Sequence, residues 1–307
     1  MRVSARMHVT VVTAVAVGVV VLPTATAQAA TVSATLVVSH STAGWPVPSP
    51  DPAGITYDPG HKRLVLSDSE VEEMKLYKGT NVFYSTLGGA QTSGAVGWTT
   101  VPWSSEPTGI SYLTAGRSLV TDDDADKVFL VNTDSNGRPK GTPRGFSTRP
   151  TNGDAEDVSL DSDATTNGHI LVIDGTNTDV YDYSAGPNGV FDGVAPAGDD
   201  QRVAYDVGKY GALDPEGIKY YPGRNTILVL DSDSKKVYEL SRTGALLNVI
   251  DISAAKPRHA AGITLAPASN GSGKTNLYIC DRGIDNDSNP AENDGRFYEM
   301  SVKLPAR

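Results

Sequence analysis

The strongest constraint on the fold is a segment that recurs five times along the chain. Each copy opens with a turn followed by a short apolar strand, as in DPAGITYDPG at 51–60 and DPEGIKYYPG at 214–223. The copies align on five positions that lie 45 to 60 residues apart: Gly54, Gly109, Asp157, Gly217 and Gly262. Repeats of this length with irregular spacing are typical of propeller blades with variable loops, whereas a solenoid needs a nearly constant repeat.

A second anchor supports the same alignment. In every copy the second strand ends on an aspartate, in segments such as LVLSD, LVID and YICD. These strand-two aspartates are Asp68, Asp122, Asp174, Asp231 and Asp281. Two more short strands follow, so one copy has the four antiparallel strands of a single blade. The sequence therefore predicts an all-β protein, a β-propeller of four-stranded blades.

The two ends of the repeat region predict how the ring closes. The last copy ends after its third strand, FYEMSV at 297–302, and the segment TLVVS at 35–39 stands before the first copy as an isolated fourth strand. Pairing of these two segments closes the ring without an unpaired edge. The expectation is five blades. The alternative of six blades needs a hidden blade, and the unassigned stretch 88–105 is too short for one.

The first thirty residues have the pattern of a secretory signal peptide. Arg2 and Arg6 precede an apolar run at 9–22, and the small residues at 27–30 form a cleavage site. The run is shorter than the roughly 20 apolar residues of a membrane-spanning helix. We expect a signal peptide at 1–30 and a single propeller domain at 31–307, secreted to the extracellular space as a monomer with no membrane contact after cleavage.

Composition narrows the class of partner. The chain has 36 acidic and 26 basic residues and a net charge of −10, which argues against nucleic acid because phosphates are bound by basic surfaces. The single cysteine, Cys280, lies in an apolar strand, so no intrachain disulfide can form. The expected ligand is a small molecule, a carbohydrate or a phosphoester, and bound metal is a candidate source of stability.

The order of the strands assigns the loops to two rims. The turns before the aligned positions share one rim with the loops after the strand-two aspartates, and we call it the anchor rim. The turns after the first and third strands share the opposite rim, the far rim. The two longest insertions on the anchor rim are 69–81 and 282–295, and closure of the ring would make them neighbours.

The insertion at 282–295 predicts a calcium site. Its oxygen-bearing side chains stand at alternate positions, and Ca²⁺ takes roughly 6 to 8 oxygen ligands with flexible geometry. The spacing opens like a calcium loop but lacks the glycine and the glutamate of an EF-hand. A solvated acidic loop is the alternative. The predicted metal ligands are Asp285, Asp287, Asn289, Glu292 and Asp294 of this loop together with Asp68.

Further carboxylates precede the aligned positions, where the turns converge on the mouth of the central channel. Converging carboxylates raise one another's pKa or recruit a cation, and hydrolases use both outcomes. Turn capping accounts for Asp51 and Asp214, whereas Glu156 and Glu216 stand directly before a strand. The predicted catalytic residues at this mouth are Glu106, Glu156, Glu216 and His259.

The openings DPEGIKYYPG and EPTGISY, the LVxD strand ends and the tail NLYICDRGIDNDSNPAENDGRFYEMS resemble secreted bacterial propellers of the NHL, gluconolactonase-type and esterase-like-phytase group. The resemblance covers 31–305 and implies chemistry at the channel mouth, on the same four residues. It departs from the phytases because only Arg258 and Arg282 supply positive charge near the anchors.

Two functions remain open at this point. The first is a calcium-dependent hydrolase of an ester, lactone or phosphoester, in which a metal polarises the substrate oxygen and a carboxylate or His259 moves the proton. The second is a non-catalytic extracellular propeller that binds a ligand or a protein on the same rim.

Overall fold

The computed structural model describes residues 29–306 without 114–115, 162–167, 285–288 and 290. Within these residues the chain forms 21 strands, three single turns of 3-10 helix and no α-helix. The 3-10 turns lie at Val71–Glu73, Gly208–Tyr210 and Ser253–Ala255. No helix in the described part of the chain is long and apolar enough to cross a membrane.

The strands follow the five repeats. Two strands precede them, β1 (Ala30–Ser33) and β2 (Thr35–Ser41). Blade one contains β3 (Pro52–Asp58), β4 (Arg63–Asp68), β5 (Val82–Ser85) and β6 (Gly97–Trp98), and blade two contains β7 (Ile110–Tyr112), β8 (Arg117–Asp122), β9 (Lys127–Asn132) and β10 (Arg144–Ser147). Blade three contains β11 (Ala155–Asp161), β12 (His169–Asp174), β13 (Asp179–Ser184) and β14 (Gln201–Asp206). Blade four contains β15 (Pro215–Tyr221), β16 (Thr226–Asp231), β17 (Lys236–Ser241) and β18 (Leu246–Asp251), and blade five contains β19 (Ala260–Pro267), β20 (Thr275–Asp281) and β21 (Arg296–Ser301).

Strand β2 completes blade five. It pairs antiparallel with β21, with Thr35 opposite Ser301 and Ser41 opposite Arg296, and the sheet order is β19-β20-β21-β2. The predicted all-β propeller of five four-stranded blades, closed by the N-terminal strand, is confirmed. The described residues contain no sixth blade.

Strand β1 is an addition that the repeat pattern does not predict. It pairs parallel with β18, with Ala30 opposite Asn248, and so forms a fifth strand on the outer edge of blade four. The chain then crosses to blade five at Ala34, whose N–H donates to the carbonyl of Asp251 over 2.9 Å. Ala30, the last residue of the expected signal peptide, is thus the first residue of a strand.

The apolar core lies between neighbouring blades. Ile173, Ile218 and Val229 belong to a cluster that joins blades three and four, while Leu230 and Ile263 belong to one that joins blades four and five. Strands covered on both faces have no polar side to present to solvent. This explains why the second strands are continuous apolar runs such as LVID and LVLD rather than alternating patterns.

Candidate functional site

The inner strands of the five blades approach one another closely at the aligned positions. A Cβ on Gly109 would lie 2.5 Å from the Cα of Asp157, and a Cβ on Gly262 would lie 2.7 Å from the Cα of Gly54. Only hydrogen fits at these distances, so glycine is required at both positions. These backbone contacts narrow the central channel at the aligned positions. The residues that precede these positions therefore lie around the mouth of the channel on the anchor rim.

Asp157 is the one aligned position that is not glycine. Its carboxylate accepts hydrogen bonds from the backbone N–H of Val158 at 2.8 Å and of Ile218 at 3.0 Å, and from the N–H of Ile263. The side chain is 1% exposed, and burial raises its pKa to about 8. Because these donors belong to blades three, four and five, Asp157 joins three blades across the axis.

Three of the strand-two aspartates, Asp68, Asp231 and Asp281, hold the anchor turns in place. Asp231 accepts from the N–H groups of Leu213 at 2.6 Å and Asp214 at 2.9 Å, and Asp281 accepts from the N–H of His259 at 2.9 Å. A carboxylate that accepts two backbone N–H groups fixes the path of the turn. These three aspartates therefore position the turns that carry the mouth residues, and their oxygens accept hydrogen bonds from backbone N–H groups.

One side of the mouth carries a buried ion-pair network. The guanidinium of Arg282 donates from Nε to Asp51 Oδ1 at 3.0 Å and from Nη2 to Asp51 Oδ2 at 3.3 Å, and Nη2 also donates to Glu70 Oε1 at 2.8 Å. Asp51 is 0% exposed. Burial alone would lower the pKa of Arg282, but the carboxylates, Asp51 first, raise it well above its usual value. The Nε and Nη2 groups of Arg282 therefore donate to two carboxylates of the protein itself.

A second cluster joins blades four and five. The ligand atoms of Asp214, Glu216 and His259 lie within 4.8 Å of one another. His259 Nε2 and Glu216 Oε1 are 3.4 Å apart, and this hydrogen bond is the largest cause that raises the pKa of His259. Burial, followed by the charge of Glu216, raises the pKa of Asp214 to about 6.

A third cluster joins blades two and three and consists of carboxylates alone. The oxygens of Asp123, Asp154 and Glu156 lie within 4.8 Å of one another. Asp154 Oδ2 accepts hydrogen bonds from the N–H of Thr176 at 2.5 Å and from its hydroxyl at 2.6 Å. Burial and then the charge of Asp154 raise the pKa of Asp123 to about 7. We call these three residues the all-carboxylate cluster.

The four predicted catalytic residues meet at this mouth. Burial and the charge of Glu216 raise the pKa of Glu156 well above its usual range, which links the second and third clusters. Burial and the charges of Asp123 and Asp124 raise the pKa of Glu106 to about 8. Glu106, Glu156, Glu216 and His259 therefore share one electrostatic environment, and their catalytic role stays a prediction.

Sequence reasoning missed two members of this site. The sequence does not single out Asp123, because the acidic triplet at 122–124 has the pattern of a turn that follows the strand-two aspartate. Its position directly after a strand end was the available signal. Arg282 was considered only as a contact for phosphate, since its pairing with Asp51 joins residues 231 positions apart.

The predicted calcium ligands are only partly described. Asp285 and Asp287 lie outside the described residues. In the rest of the loop, the amide of Asn289 donates to Glu292 Oε2 at 2.9 Å, and Asp294 pairs with Arg258. The sixth predicted ligand, Asp68, is 0% exposed, and it accepts hydrogen bonds from the hydroxyl of Ser49 and from the backbone of blade one. Calcium binding by this set stays a prediction.

No family model and no curated protein matches the sequence. Among solved structures, the chain is similar to regucalcin, a calcium-binding protein from Agrobacterium tumefaciens, with 11% identity, a TM-score of 0.51 and coverage of 90% of this chain and 98% of that one. It is also similar to glutaminyl cyclase from Myxococcus xanthus, with 15% identity, a TM-score of 0.49 and coverage of 89% and 98%. For virginiamycin B lyase from Staphylococcus aureus the identity is 13%, the TM-score 0.47 and the coverage 87% and 99%. At these identities the likeness shows the fold, and fold and site together define a five-bladed β-propeller with an acidic channel mouth.

Proposed function

We propose that this protein is a hydrolase of an ester, lactone or phosphoester that works with a divalent cation, Ca²⁺ in the first place, at the channel mouth of the anchor rim. The observation that carries the proposal is the juxtaposition of Glu156 and Glu216, which brings the all-carboxylate cluster against the cluster that contains His259. Perturbed carboxylates that converge in one cleft are typical of sites built for a cation or for proton transfer.

The all-carboxylate cluster fits a hard cation. Asp123, Asp154 and Glu156 offer oxygen ligands alone, which suit Ca²⁺, Mg²⁺ or Mn²⁺ better than softer metals. Burial and mutual repulsion raise the pKa of Asp123 to about 7, and a nearby positive charge would relieve that repulsion. When bound, the cation supplies a Lewis acid that polarises a carbonyl or phosphoryl oxygen.

Proton transfer falls to the second cluster. The hydrogen bond between His259 and Glu216 raises the pKa of His259, which favours the imidazolium form that can donate a proton to the oxygen of a leaving group. Glu106, whose pKa is raised to about 8, adds a second group that exchanges a proton near neutral pH. Arg282, held by Asp51 and Glu70, closes the other side of the mouth.

The test begins with metal analysis of the purified mature protein. A panel of esters, lactones and phosphoesters is then assayed after chelation and after restoring calcium. We expect activity that is lost with chelator, regained with calcium, and lost in Glu156→Gln at unchanged fold. Saturable ligand binding at the mouth with no turnover of any ester class by metal-replete protein would favour the non-catalytic propeller instead.

Secretion as a monomer is part of the proposal. Residues 1–28 lie outside the described part of the chain. Because β1 begins at Ala30, the position of cleavage decides whether the mature protein keeps the whole of this strand. N-terminal sequencing of protein recovered from the culture medium, combined with light scattering, tests both points. An uncleaved N-terminus or a stable dimer would contradict them.

A further inference from the structure

A separate cavity of about 270 Å³ opens at the far-rim end of the axis. Its wall takes one side chain from the inner strand of every blade, each three positions after the aligned residue: Tyr57, Tyr112, Leu160, Tyr220 and Leu265. Three aromatic rings and two leucines make a mainly apolar wall. The cavity is smaller than the roughly 300–1,000 Å³ of pockets for drug-sized ligands, so its occupant must be small.

Two polar side chains interrupt this wall. Thr264 is 0% exposed, and its hydroxyl has no hydrogen-bond partner among the described residues. Lys219 lines the same cavity, and its ammonium forms no ion pair or hydrogen bond within the described part of the chain. Burial lowers the pKa of Lys219, and the charge of Asp157 opposes that shift. A buried hydroxyl without a partner is costly, which favours a ligand at Thr264, and the partly exposed Lys219 supplies a positive charge in the same cavity.

The equivalent positions in the other blades differ from one another: the buried hydroxyl of Ser111 in blade two also has no hydrogen-bond partner among the described residues, whereas the hydroxyls of blades one and three do. The hydroxyl of Thr56 accepts the backbone N–H of Tyr112 at 3.1 Å, and the hydroxyl of Ser159 accepts that of Tyr220 at 3.0 Å. These two side chains stitch neighbouring inner strands together. Lys219 occupies the corresponding place in blade four and has no such role, so the repeat itself does not explain a lysine here.

We propose that this cavity, the far-rim pocket, binds a small monocarboxylate with an aromatic or branched apolar body. The carboxylate would accept hydrogen bonds from the ammonium of Lys219 and the hydroxyl of Thr264, and the body would pack among the rings of Tyr57 and Tyr112. Lys219 is the one charged side chain among the lining residues, which matches a single negative charge. Hydrogen bonds between charged groups are the stronger kind, and they fix the orientation of the ligand.

The far-rim pocket is independent of the channel mouth. Between the two lie the close backbone contacts at the aligned positions and the carboxylate of Asp157. The mouth, dominated by carboxylates, would repel the same anion. The proposal therefore stands or falls apart from the hydrolase function.

Calorimetry with phenylacetate and 4-methylpentanoate as probes, and 2-phenylethanol as the uncharged control, tests the proposal on the full propeller. We expect one saturable site per chain, with phenylacetate bound at least tenfold more tightly than 2-phenylethanol. Lys219→Met, which keeps the length of the stem, should weaken phenylacetate at least tenfold, and Thr264→Val by about threefold. Lys274→Met, an exposed far-rim lysine, serves as the matched control and should bind as the wild type does.

Three results would overturn the proposal: no saturable binding of either acid, equal binding of phenylacetate and 2-phenylethanol, or unchanged affinity in Lys219→Met. If Lys219→Met fails to fold, Thr264→Val and the uncharged control decide the question together. Binding that is unchanged in Glu156→Gln but about threefold weaker in Thr264→Val would assign the site to the far rim even if no hydrolase activity is found.

Discussion

The channel mouth and the far-rim pocket are built from the same five inner strands, yet they have opposite polarity. Residues just before the aligned positions supply the carboxylates of the mouth, whereas residues two and three positions after them supply the hydroxyls, tyrosines and lysine of the pocket. The repeated inner strands determine the positions of the side chains at both ends of the channel. At each end, one basic residue that occurs in a single blade breaks the symmetry of the repeat. Arg282 has this role at the mouth and Lys219 at the far rim.

The largest expected effect separates the two rims by activity. Glu216→Gln and Glu156→Gln each remove a charge at nearly constant shape. We expect Glu216→Gln to lower kcat/KM by about 10²–10⁴-fold, the usual range for loss of acid–base catalysis, and Glu156→Gln to abolish activity because it removes a ligand of the proposed cation. Melting temperatures should stay close to that of the wild type. Lys274→Gln on the far rim is the control and should be silent in both assays.

His61 is a poorer control than its far-rim position suggests. Its Nδ1 lies 2.6 Å from the buried Asp58 and its Nε2 lies 2.8 Å from the carbonyl of Ser135. Replacement of His61 is therefore expected to leave activity unchanged while lowering stability. Damage to activity by Lys274→Gln, with Glu216→Gln active, would reverse the assignment of function to the anchor rim.

The second prediction concerns the stability of the mouth. Arg282→Met leaves the buried Asp51 and Glu70 without their cation, and loss of one partner of a buried ion pair costs about 3–5 kcal/mol. Urea denaturation measures the free energy of unfolding. Arg258→Met is the matched variant, because its ion pair with Asp294 is half exposed, and it should cost less than about 1 kcal/mol. Equal losses of unfolding free energy in Arg282→Met and Arg258→Met would contradict a stabilising role for the buried ion-pair network.

Calcium and pH should act together on the mouth. Burial raises the pKa of Glu106 to about 8 and that of Asp123 to about 7, so the native state binds more protons than the unfolded state above their usual values near 4. For chelated protein, the free energy of unfolding should therefore fall as the pH rises from about 4 to 8.

Calcium should offset this fall by binding the native state alone. The stabilisation is about 2.7 kcal/mol when free calcium is 100 times its Kd. Thermal unfolding at pH 5 and pH 8, with chelator and with millimolar calcium, measures the effect. A melting temperature that is independent of both would count against a cation at the mouth and at the 285–294 loop.

Arg224 on the far rim also pairs with a buried carboxylate, and we expect its replacement to lower the free energy of unfolding less than Arg282→Met does. Arg224 donates from Nε to Oε1 of the buried Glu239 at 2.7 Å, but Thr226 and Asn248 also donate to this carboxylate. Because two donors remain, Arg224→Met should cost about 1.5 kcal/mol, at the low end for a hydrogen bond to a charged group. If Arg224→Met lowered the free energy of unfolding as much as Arg282→Met, the expected difference in stability between the two ion pairs would be wrong.

The sequence predicts the fold because its anchor residues repeat, and the same repeat predicts that the residues before the aligned positions lie on one rim. The aligned glycines and the strand-two aspartates recur in the copies, and the last copy lacks a fourth strand. Together these features predict five blades, and they place Glu216 and His259 on the same rim. The parallel pairing of β1 could not be foreseen, since four residues of strand carry no repeat signal. Arg282 and Lys219 were equally hidden, because contacts across the ring and cavities on the axis depend on the curvature of the whole propeller.

The pairing of β2 with β21 also sets the order of events when the chain is made. Residues 35–41 are synthesised before the first blade, but their partner at 296–301 is synthesised only after the four other blades and two strands of blade five. Until β21 has been made, β2 has no strand of blade five to pair with, and the ring stays open. Contacts between such distant segments make folding slow and leave strand edges open to association. The pairing that closes the ring thus postpones its completion until all five blades have been synthesised.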